Sequence, residues 1–325
     1  MAGKVLLAQD VSESGKNLLR EKGFEVILAP DEQKSTIKAL IADCDAVFSK
    51  TLFLDEEILS AGKKLKVVGK HGVGIDNVVD IEVATRLGIY VVNAPYANIE
   101  SVAEHTVAAI LALAKHVVDM NHAVRQGDFD APARIINIDV KEKVLGLVGL
   151  GNIGKLVAKK AHYGFDMKII GYDPYATKEM IPDYIELVED MDEIFRAADF
   201  VSIHVNGSPK TANLVNKDKL QLMKPTAFFI NFARGIVVNE EDLIDALRNG
   251  TIKGAALDVF ATEPVEIDNP LLQMSNVLLS PHCSALSTEA CNRMSYDGCM
   301  GIVEILQGRT PTWCVNYNEV NAKQK

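Results

Sequence analysis

Short apolar runs alternate with amphipathic segments along most of the chain. In the first 93 residues the strand-like runs are 4–8, 25–28, 46–49, 65–69 and 89–92. Helical patterns lie between them, around 15–21, 35–42, 56–59 and 81–87. Regular alternation of this kind predicts a parallel sheet covered by helices.

The same alternation resumes after residue 143. Strand-like runs are 144–148, 168–172, 200–205, 227–232, 255–260 and 277–280, with helical patterns at 192–197, 217–223 and 240–248. Six strands with helices between them predict a complete doubly wound sheet. A last long helix is predicted at 287–308, and the polar tail from Asn318 is predicted to be disordered.

Between the two halves, residues 100 to about 125 read as one long helix, with few charges before Lys115. A helix this apolar is expected to pack against another domain or a second subunit. Its histidines, His105, His116 and His122, are interpreted as surface or interface side chains. Residues 126–142 are expected to form a loop.

Composition narrows the class of protein. A chain of 325 residues with 48% hydrophobic content predicts two packed domains. The net charge of −10 disfavours nucleic-acid and anionic membrane surfaces as partners. No signal-peptide pattern, bilayer-length apolar stretch or zinc-ligand spacing is present, and the five cysteines form no CxxC pair. We therefore expect a cytoplasmic protein with reduced thiols, no bound metal and no membrane contact.

Residues 143–174 carry the most specific local motif. The run 144–148 leads into Gly149-x-Gly151-x-x-Gly154, and a helical pattern follows at 155–163. Gly149 suits a tight turn, Gly151 lets a pyrophosphate approach the backbone, and Gly154 lets the helix pack closely on the strand. The helix N-terminus would then bind the phosphates. The alternative interpretation is a glycine-tolerant turn in an unrelated α/β sheet.

The residue after the second strand distinguishes the two nicotinamide cofactors. Asp173 lies 19 residues after Gly154, where a carboxylate can accept both hydroxyls of an adenosine ribose. Pro174 and Tyr175 follow, so no arginine is at hand for a 2′-phosphate. The sequence therefore predicts NAD rather than NADP.

Three ionisable residues follow strand-like runs of the second half. Arg234, Glu263 and His282 should therefore lie on the sheet edge where a nicotinamide would bind. Histidine is suited to take a hydroxyl proton, a carboxylate can fix its tautomer, and a guanidinium can bind a substrate carboxylate through two hydrogen bonds. Each residue also has an ordinary structural interpretation as a cap, a loop residue or a surface ion pair.

Several motifs in one order resemble the D-isomer-specific 2-hydroxyacid dehydrogenase family over nearly the whole chain. They are Lys-His-Gly-Val-Gly-Ile-Asp-Asn (70–77), Val-Ala-Glu-His-Thr (102–106), the 149–154 turn, Asn-Phe-Ala-Arg-Gly (231–235), Ala-Leu-Asp-Val-Phe-Ala-Thr-Glu-Pro (256–264) and Ser-Pro-His (280–282). The resemblance implies two doubly wound parallel-sheet domains. A flavodoxin-like substrate domain (1–99 and 286–325) would be interrupted by a Rossmann NAD-binding domain (100–285).

The resemblance also implies where the ligands bind. A 2-hydroxy or 2-oxo acid would lie in a cleft, held by Arg234 and the backbone at Gly72, Val73 and Gly74, with Lys70 adding positive charge. Asp258 would hydrogen-bond the nicotinamide amide. The remaining residues expected to contact NAD are Thr106, Gly149, Gly151, Asn152, Ile153, Gly154, Asp173, His204, Val205, Thr211, Phe232, Ala233, Arg234, His282 and Ser284. The family usually dimerises, so a homodimer through the predicted helix 100–125 is expected.

The substrate is less well defined. Lys70 stands where members acting on 3-phosphoglycerate commonly have arginine, and His71 is expected to add basicity, so a phosphate-bearing 2-hydroxy acid is the working hypothesis. Cys283 and Ser284 depart from the family pattern beside His282 and could alter substrate fit. No appended amino-acid-sensing domain is expected. Two alternatives stay open: an NAD-sensing corepressor-like binding protein, and a formate- or phosphite-type dehydrogenase on the same fold.

Overall fold

The computed structural model describes residues 3–324 of the chain. The chain divides into two units. Unit 1 runs to Asn98 and resumes at Leu286, and unit 2 is Ile99–Ala285. The chain thus passes between the units after Asn98 and after Ala285, whereas the domain boundaries predicted from the sequence lie after residues 99 and 285.

Unit 1 contains a sheet of five parallel strands. The strands are β1 (Lys4–Leu7), β2 (Glu25–Leu28), β3 (Ala46–Ser49), β4 (Val67–Lys70) and β5 (Tyr90–Val92). The first four helices are α1 (Glu13–Glu21), α2 (Lys34–Ile41), α3 (Glu56–Ala61) and α4 (Ile81–Arg86). The strand order β2-β1-β3-β4-β5 is the flavodoxin-like order, as predicted.

Unit 2 begins with helices α5 (Ile99–Ala114) and α6 (Val117–Arg125) and contains a seven-stranded parallel sheet. The strands are β6 (Val144–Val148), β7 (Lys168–Tyr172), β8 (Ile185–Leu187), β9 (Phe200–Ile203), β10 (Phe228–Asn231), β11 (Gly254–Leu257) and β12 (Val277–Leu279). The helices between them are α7 (Asn152–Phe165), α8 (Met191–Ala197), α9 (Lys217–Leu222) and α10 (Glu240–Arg248). Their order, β12-β11-β10-β9-β6-β7-β8, is that of a Rossmann sheet with one added edge strand, so the predicted fold class is confirmed.

The central strands are apolar on both faces because helices cover both sides of each sheet. Every residue of β9, β10 and β11 is buried in unit 2, and every residue of β3 and β4 is buried in unit 1. After Ala285 the chain returns to unit 1 through α11 (Thr288–Leu306) and α12 (Tyr317–Gln324). Helix α11 buries Cys299, Ile302 and Val303 in the same cluster as β1 and β3.

The predicted single helix at 100–125 is wrong. It is broken between α5 and α6, which are bent by 58° relative to each other. At the break His116 takes a left-handed backbone conformation with φ of 47°, and its Nδ1 lies 2.9 Å from Oδ2 of Asp119 in the first turn of α6. A left-handed residue ends one helical path, and the local side-chain contact stabilises the start of the next.

Two further expectations about local structure are wrong. The tail from Asn318 is not disordered over the described residues but belongs to α12, where Val320 is completely buried and Asn321 accepts a hydrogen bond from Tyr90. The sheet of unit 2 has a seventh strand, β8, which the apolar pattern did not reveal. Only three residues long, it contains the exposed Glu186.

Within the described residues, no single helix is long and apolar enough to cross a bilayer. If the bent pair α5 and α6 is counted as one segment, it is long and apolar enough to cross a bilayer by length and composition alone. Nine of the sixteen residues of α5 are buried, however, and five of them belong to a core cluster of unit 2, as expected for a core helix.

The burial pattern predicts very different consequences for two phenylalanines of unit 2. Phe229 of β10 is completely buried, whereas Phe129 is 79% exposed. We expect Phe229→Ala to lower the free energy of unfolding by about 3–5 kcal/mol, because it leaves a cavity in a packed core. Phe129→Ala should change it by less than about 0.5 kcal/mol. Urea denaturation of both variants tests this, and equal losses would contradict the assigned core.

Candidate active site

Three neighbouring strands of unit 2 bring the predicted catalytic residues to one sheet edge. Strands β10, β11 and β12 are adjacent and parallel, so their carboxyl ends meet at the same edge. Arg234 follows β10, Glu263 follows β11 and His282 follows β12. This is the edge at which doubly wound sheets bind ligands.

A glycine allows two of these loops to touch. A Cβ on Gly235 would lie 1.8 Å from the carbonyl oxygen of Phe260, a distance no side chain could occupy. The backbone after β10 therefore packs directly on the loop after β11. Because of this contact, Arg234 lies near enough to Glu263 for its charge to lower the pKa of that carboxyl group.

His282 and Glu263 form a hydrogen-bonded pair. Nδ1 of His282 lies 2.6 Å from Oε2 of Glu263, and the other carboxylate oxygen accepts from the Phe260 amide at 3.1 Å. Burial alone would raise the pKa of Glu263, but the hydrogen bonds from His282 and Phe260 outweigh it and lower that pKa. Since a carboxylate can only accept, the Nδ1 atom carries the hydrogen. Nε2 is then the nitrogen able to exchange a proton with another molecule.

The loop that carries Arg234 is held by a residue that the sequence reasoning missed. Asn231, at the end of β10, is 1% exposed. Its side-chain amide donates to the carbonyl of Arg234 at 3.0 Å, and its Oδ1 accepts from the Ala233 amide at 3.1 Å. The half-buried guanidinium of Arg234 donates to the Ala233 carbonyl at 2.8 Å. The sequence signal that could have identified Asn231 is an amide side chain at the end of an otherwise apolar strand-like run.

The glycine-rich turn between β6 and α7 has the geometry expected of a dinucleotide-binding turn. Gly149 has φ of 100°, and a Cβ there would lie 2.6 Å from the His204 carbonyl oxygen. A Cβ on Gly154 would lie 2.2 Å from the Gly149 carbonyl oxygen. Gly151 is the N-cap of α7, and open space lies where its side chain would be. The N-terminus of α7 can therefore receive a diphosphate against bare backbone.

Asp173 closes this turn from the end of β7. Its Oδ2 accepts from the Leu150 amide and its Oδ1 from the Tyr175 amide, both at 2.9 Å. The two bonds fix the carboxylate beside the glycine-rich turn and leave lone pairs on both oxygens. This arrangement fits a ribose diol and opposes a 2′-phosphate.

The other residues predicted to contact NAD have varied surroundings, and their contact with the cofactor stays a prediction. The Thr106 hydroxyl is completely buried in α5 and donates to the Val102 carbonyl at 2.8 Å. Nε2 of His204 lies 3.0 Å from the Ser202 hydroxyl, and burial lowers the pKa of His204 to about 4. The Thr211 hydroxyl accepts from the Ser208 amide at 2.9 Å. Asn152, Ile153, Val205, Phe232, Ala233 and Ser284 lie in loops or the first turn of α7 at the carboxyl edge of the sheet.

In unit 1, the loop after β4 is clamped through its carbonyls. The Gly72 oxygen accepts from the Ala94 amide at 2.9 Å, and the Val73 oxygen accepts from the Asn93 side chain at 2.8 Å. Within residues 3–324, no protein acceptor takes the N–H groups of Gly72, Val73 or Gly74. Such a loop is suited to bind a small anion.

The two basic residues before that loop are both largely buried. Lys70 is only 6% exposed, and its ammonium group donates to the Lys50 carbonyl. Burial, together with the charges of Lys50 and Lys70, lowers the pKa of His71 to about 4. The expectation that His71 adds basicity is therefore wrong, because it is neutral near pH 7.

Comparison with known proteins agrees with this geometry. Residues 107–284 match the family model described as D-isomer specific 2-hydroxyacid dehydrogenase, NAD binding domain. The chain belongs to the D-isomer-specific 2-hydroxyacid dehydrogenase family. Unit 2 is therefore its NAD-binding domain, and the glycine-rich turn, open at Gly151, fits that cofactor.

Individual relatives differ in the activity that their names give. The chain is 37% identical over 314 residues to a D-3-phosphoglycerate dehydrogenase of Synechocystis, covering 96% of this chain but 56% of that protein. It is 36% identical to a glyoxylate reductase of Korarchaeum cryptofilum, covering 99% and 98% of the two chains. A solved structure of a Thermus thermophilus protein superposes with a TM-score of 0.88 at 31% identity, covering 96% and 99%. The chain thus spans about half the length of one relative and the whole of another.

Two glycines of α7 make a matched test of the cofactor turn. We expect Gly154→Ala to destabilise unit 2 by about 1–3 kcal/mol, because its new methyl group would collide with the Gly149 carbonyl. NADH binding should weaken by at least about tenfold. Gly164→Ala, in the same helix and with nothing within 4 Å of the new methyl, should leave both properties unchanged or slightly improve stability. Thermal unfolding and NADH fluorescence titration measure the two effects, and equal behaviour of the variants would contradict the role of Gly154.

Proposed function

We propose that the protein is an NAD-dependent dehydrogenase that interconverts D-2-hydroxy acids and 2-oxo acids. The observation that carries the proposal is the His282–Glu263 pair, 2.6 Å apart, on the same sheet edge as Arg234. Family membership and the glycine-rich turn supply the cofactor half of the argument. When bound, NAD⁺ would accept the hydride of the alcohol carbon, and NADH would donate a hydride to the carbonyl carbon in the reverse direction.

The residues of the chain have distinct roles in this proposal. Nε2 of His282 takes the hydroxyl proton during oxidation and gives it back during reduction. Glu263 holds Nδ1–H, keeps the imidazole in one tautomer and stabilises the imidazolium that forms. Arg234 binds the substrate carboxylate and so orients the reacting carbon. The 72–74 loop of unit 1 is the second proposed anion-binding element.

For the substrate, we propose a 2-hydroxy acid that carries a phosphate. The buried charge of Lys70 lies directly before the 72–74 loop, and Lys50 lies close enough to act on His71. Two cations beside open backbone N–H groups favour a substrate with more than one negative charge. A small unphosphorylated 2-oxo acid is the second candidate. The Lys70 ammonium group is already hydrogen-bonded to Lys50, and a relative of equal length is named glyoxylate reductase.

A spectrophotometric screen decides between these substrates. NADH oxidation is measured with glyoxylate, hydroxypyruvate, pyruvate and branched 2-oxo acids, and NAD reduction with 3-phosphoglycerate, lactate and glycerate. We expect the highest kcat/KM in the oxidative direction for 3-phosphoglycerate. No preference for it over lactate or glycerate would refute the phosphate proposal while leaving the dehydrogenase proposal standing.

Removal of the proposed base tests the chemistry itself. We expect His282→Gln to lower kcat by at least about a hundredfold, because removing a general acid–base group typically costs that much. NADH affinity should fall by less than about tenfold, since His282 is expected to meet only the nicotinamide end of the cofactor and the substitution leaves the glycine-rich turn intact. Retained turnover would contradict the assigned role, and lost NADH binding would show that the substitution disturbed the domain.

We also propose that the protein forms a homodimer through α6, in the cytoplasm. None of the α6 residues is buried, and three of them are apolar side chains that are each more than half exposed: Val117, Val118 and Val124. An adjoining groove of about 610 Å³ is lined in part by Val118, Ile135 and Leu278. Apolar exposure on a helix beside an apolar groove is typical of a subunit interface.

Charge placed on this helix should separate the subunits. We expect Val118→Asp to convert the dimer to a monomer at micromolar concentration, because it would bury an unpaired carboxylate. Val315→Asp, at a 45% exposed valine of unit 1, is the matched control and should leave the dimer intact. Light scattering coupled to size-exclusion chromatography gives the masses, and a monomeric wild type would refute the proposal.

A further inference from the structure

One residue binds three consecutive backbone N–H groups of the loop that carries the proposed base. The carbonyl oxygen of Asp258 accepts from the His282 amide at 2.9 Å. Its Oδ1 accepts from the Cys283 amide and its Oδ2 from the Ser284 amide, both at 2.8 Å. All three amides of the turn at 282–284 therefore donate to one aspartate, and the His282 amide also lies 3.2 Å from the Ser280 carbonyl oxygen.

This turn has a backbone conformation that needs such support. His282 has φ of 51°, in the left-handed region that residues with a Cβ seldom adopt. A residue in this region persists only when its surroundings hold it there. Since φ at His282 also sets the direction of the imidazole, the contacts of Asp258 help to aim Nδ1 at Glu263.

Asp258 can do this only as a carboxylate, and its surroundings favour that form. The side chain is completely buried, which by itself would raise its pKa. Hydrogen bonds from the hydroxyls of Ser280 and Ser284 and from the loop amides outweigh burial and lower the pKa of Asp258. His105 of α5 and Cys283 of the same loop face it: a ring nitrogen of His105, the sulfur of Cys283 and a carboxylate oxygen of Asp258 lie within 4.8 Å of one another.

Ser280 makes the shortest of these contacts. Its Oγ lies 2.6 Å from Asp258 Oδ1, so its one hydroxyl hydrogen points at the carboxylate. Nε2 of His105 lies 3.5 Å from the same oxygen. Because the hydroxyl hydrogen is already used, the Ser280 oxygen can only accept a hydrogen bond from His105. The His105 ring in turn packs edge-on against Phe232, with ring centroids 5.0 Å apart, and this contact holds the imidazole beside Ser280.

We propose that Ser280 is a positioning residue for His282, acting by holding the Asp258 carboxylate on the amides of Cys283 and Ser284. Ser280 does not take part in proton or hydride transfer. The inference rests on the proposed function in one respect, because it takes His282 as the group that exchanges the substrate proton.

Removing the hydroxyl should change the pH dependence in a defined direction. Without the Ser280 donor, the pKa of Asp258 rises, so its carboxylate becomes protonated at a higher pH than in the wild type. A protonated Asp258 accepts the two amides less well, and the His282 turn loosens. The acid limb of kcat should therefore move to higher pH, an effect that a simple packing role for Ser280 would not produce.

The experiment compares Ser280→Ala with Ser280→Thr, which keeps the hydroxyl, and with Ser60→Ala, an exposed serine of α3 in unit 1. We expect kcat of Ser280→Ala to fall about tenfold near neutral pH, with KM for NADH within about threefold. Ser280→Thr should restore kcat and the wild-type pH profile to within about threefold. Ser60→Ala should behave as the wild type.

A second measurement does not depend on activity. Hydrogen exchange followed by mass spectrometry on peptides covering 279–286 reports the amides of Cys283 and Ser284. We expect these amides to exchange at least about tenfold faster in Ser280→Ala and at the wild-type rate in Ser280→Thr.

Each outcome has a definite meaning. Unchanged exchange in Ser280→Ala would overturn the anchoring by Asp258. Faster exchange with unchanged kcat and pH profile would overturn the positioning role. A wild type that binds NADH but turns over no acid would refute the proposed function and with it the catalytic part of this inference, while the exchange rates would still show whether Ser280 holds the turn.

Discussion

The structure of the candidate site depends on a buried carboxylate that must be satisfied by hydrogen bonds. Asp258 has no access to solvent, so its charge persists only because hydroxyl and amide donors surround it. Two of those donors are consecutive amides of the loop after β12. The requirement to satisfy one charge thus fixes the shape of the loop, and the loop shape fixes where His282 can point.

The sheet topology supplies the second constraint. In a parallel sheet with right-handed crossovers, every strand delivers its carboxyl end to the same edge, and the loops that follow must pack on one another. Gly149 and Gly235 show how closely this happens, since a Cβ at either position would strike the backbone of a neighbouring loop. The glycine-rich turn and the His282–Glu263 pair are therefore parts of one edge of unit 2.

The groups proposed to carry out hydride and proton transfer lie in unit 2, and unit 1 contributes the proposed anion-binding loop at 72–74. Unit 2 contains the proposed acid–base pair, the Arg234 guanidinium and the glycine-rich turn, and it is the part that the family model describes. In unit 1 the carbonyls of Gly72 and Val73 accept hydrogen bonds from residues 94 and 93, while burial and two lysine charges lower the pKa of His71 to about 4. Relatives of similar identity to this chain have names that give different activities.

The sequence by itself determined the fold class, most strands to within two residues, the glycine-rich turn with Asp173, and the three ionisable residues after β10, β11 and β12. These features follow from local rules: apolar period, glycine spacing and the residue that follows a strand. Only the tertiary structure decided the break at His116, the short strand β8, the helical tail around Val320 and the loss of charge on His71. It also decided the hydrogen-bond partners of Asn231 and Ser280. The short strand, the helical tail, the charge of His71 and the contact of Ser280 with Asp258 depend on residues distant in sequence, which set burial and hydrogen-bond partners. The contacts of His116 and Asn231 are local, but they depend on backbone conformations that an apolar pattern does not record.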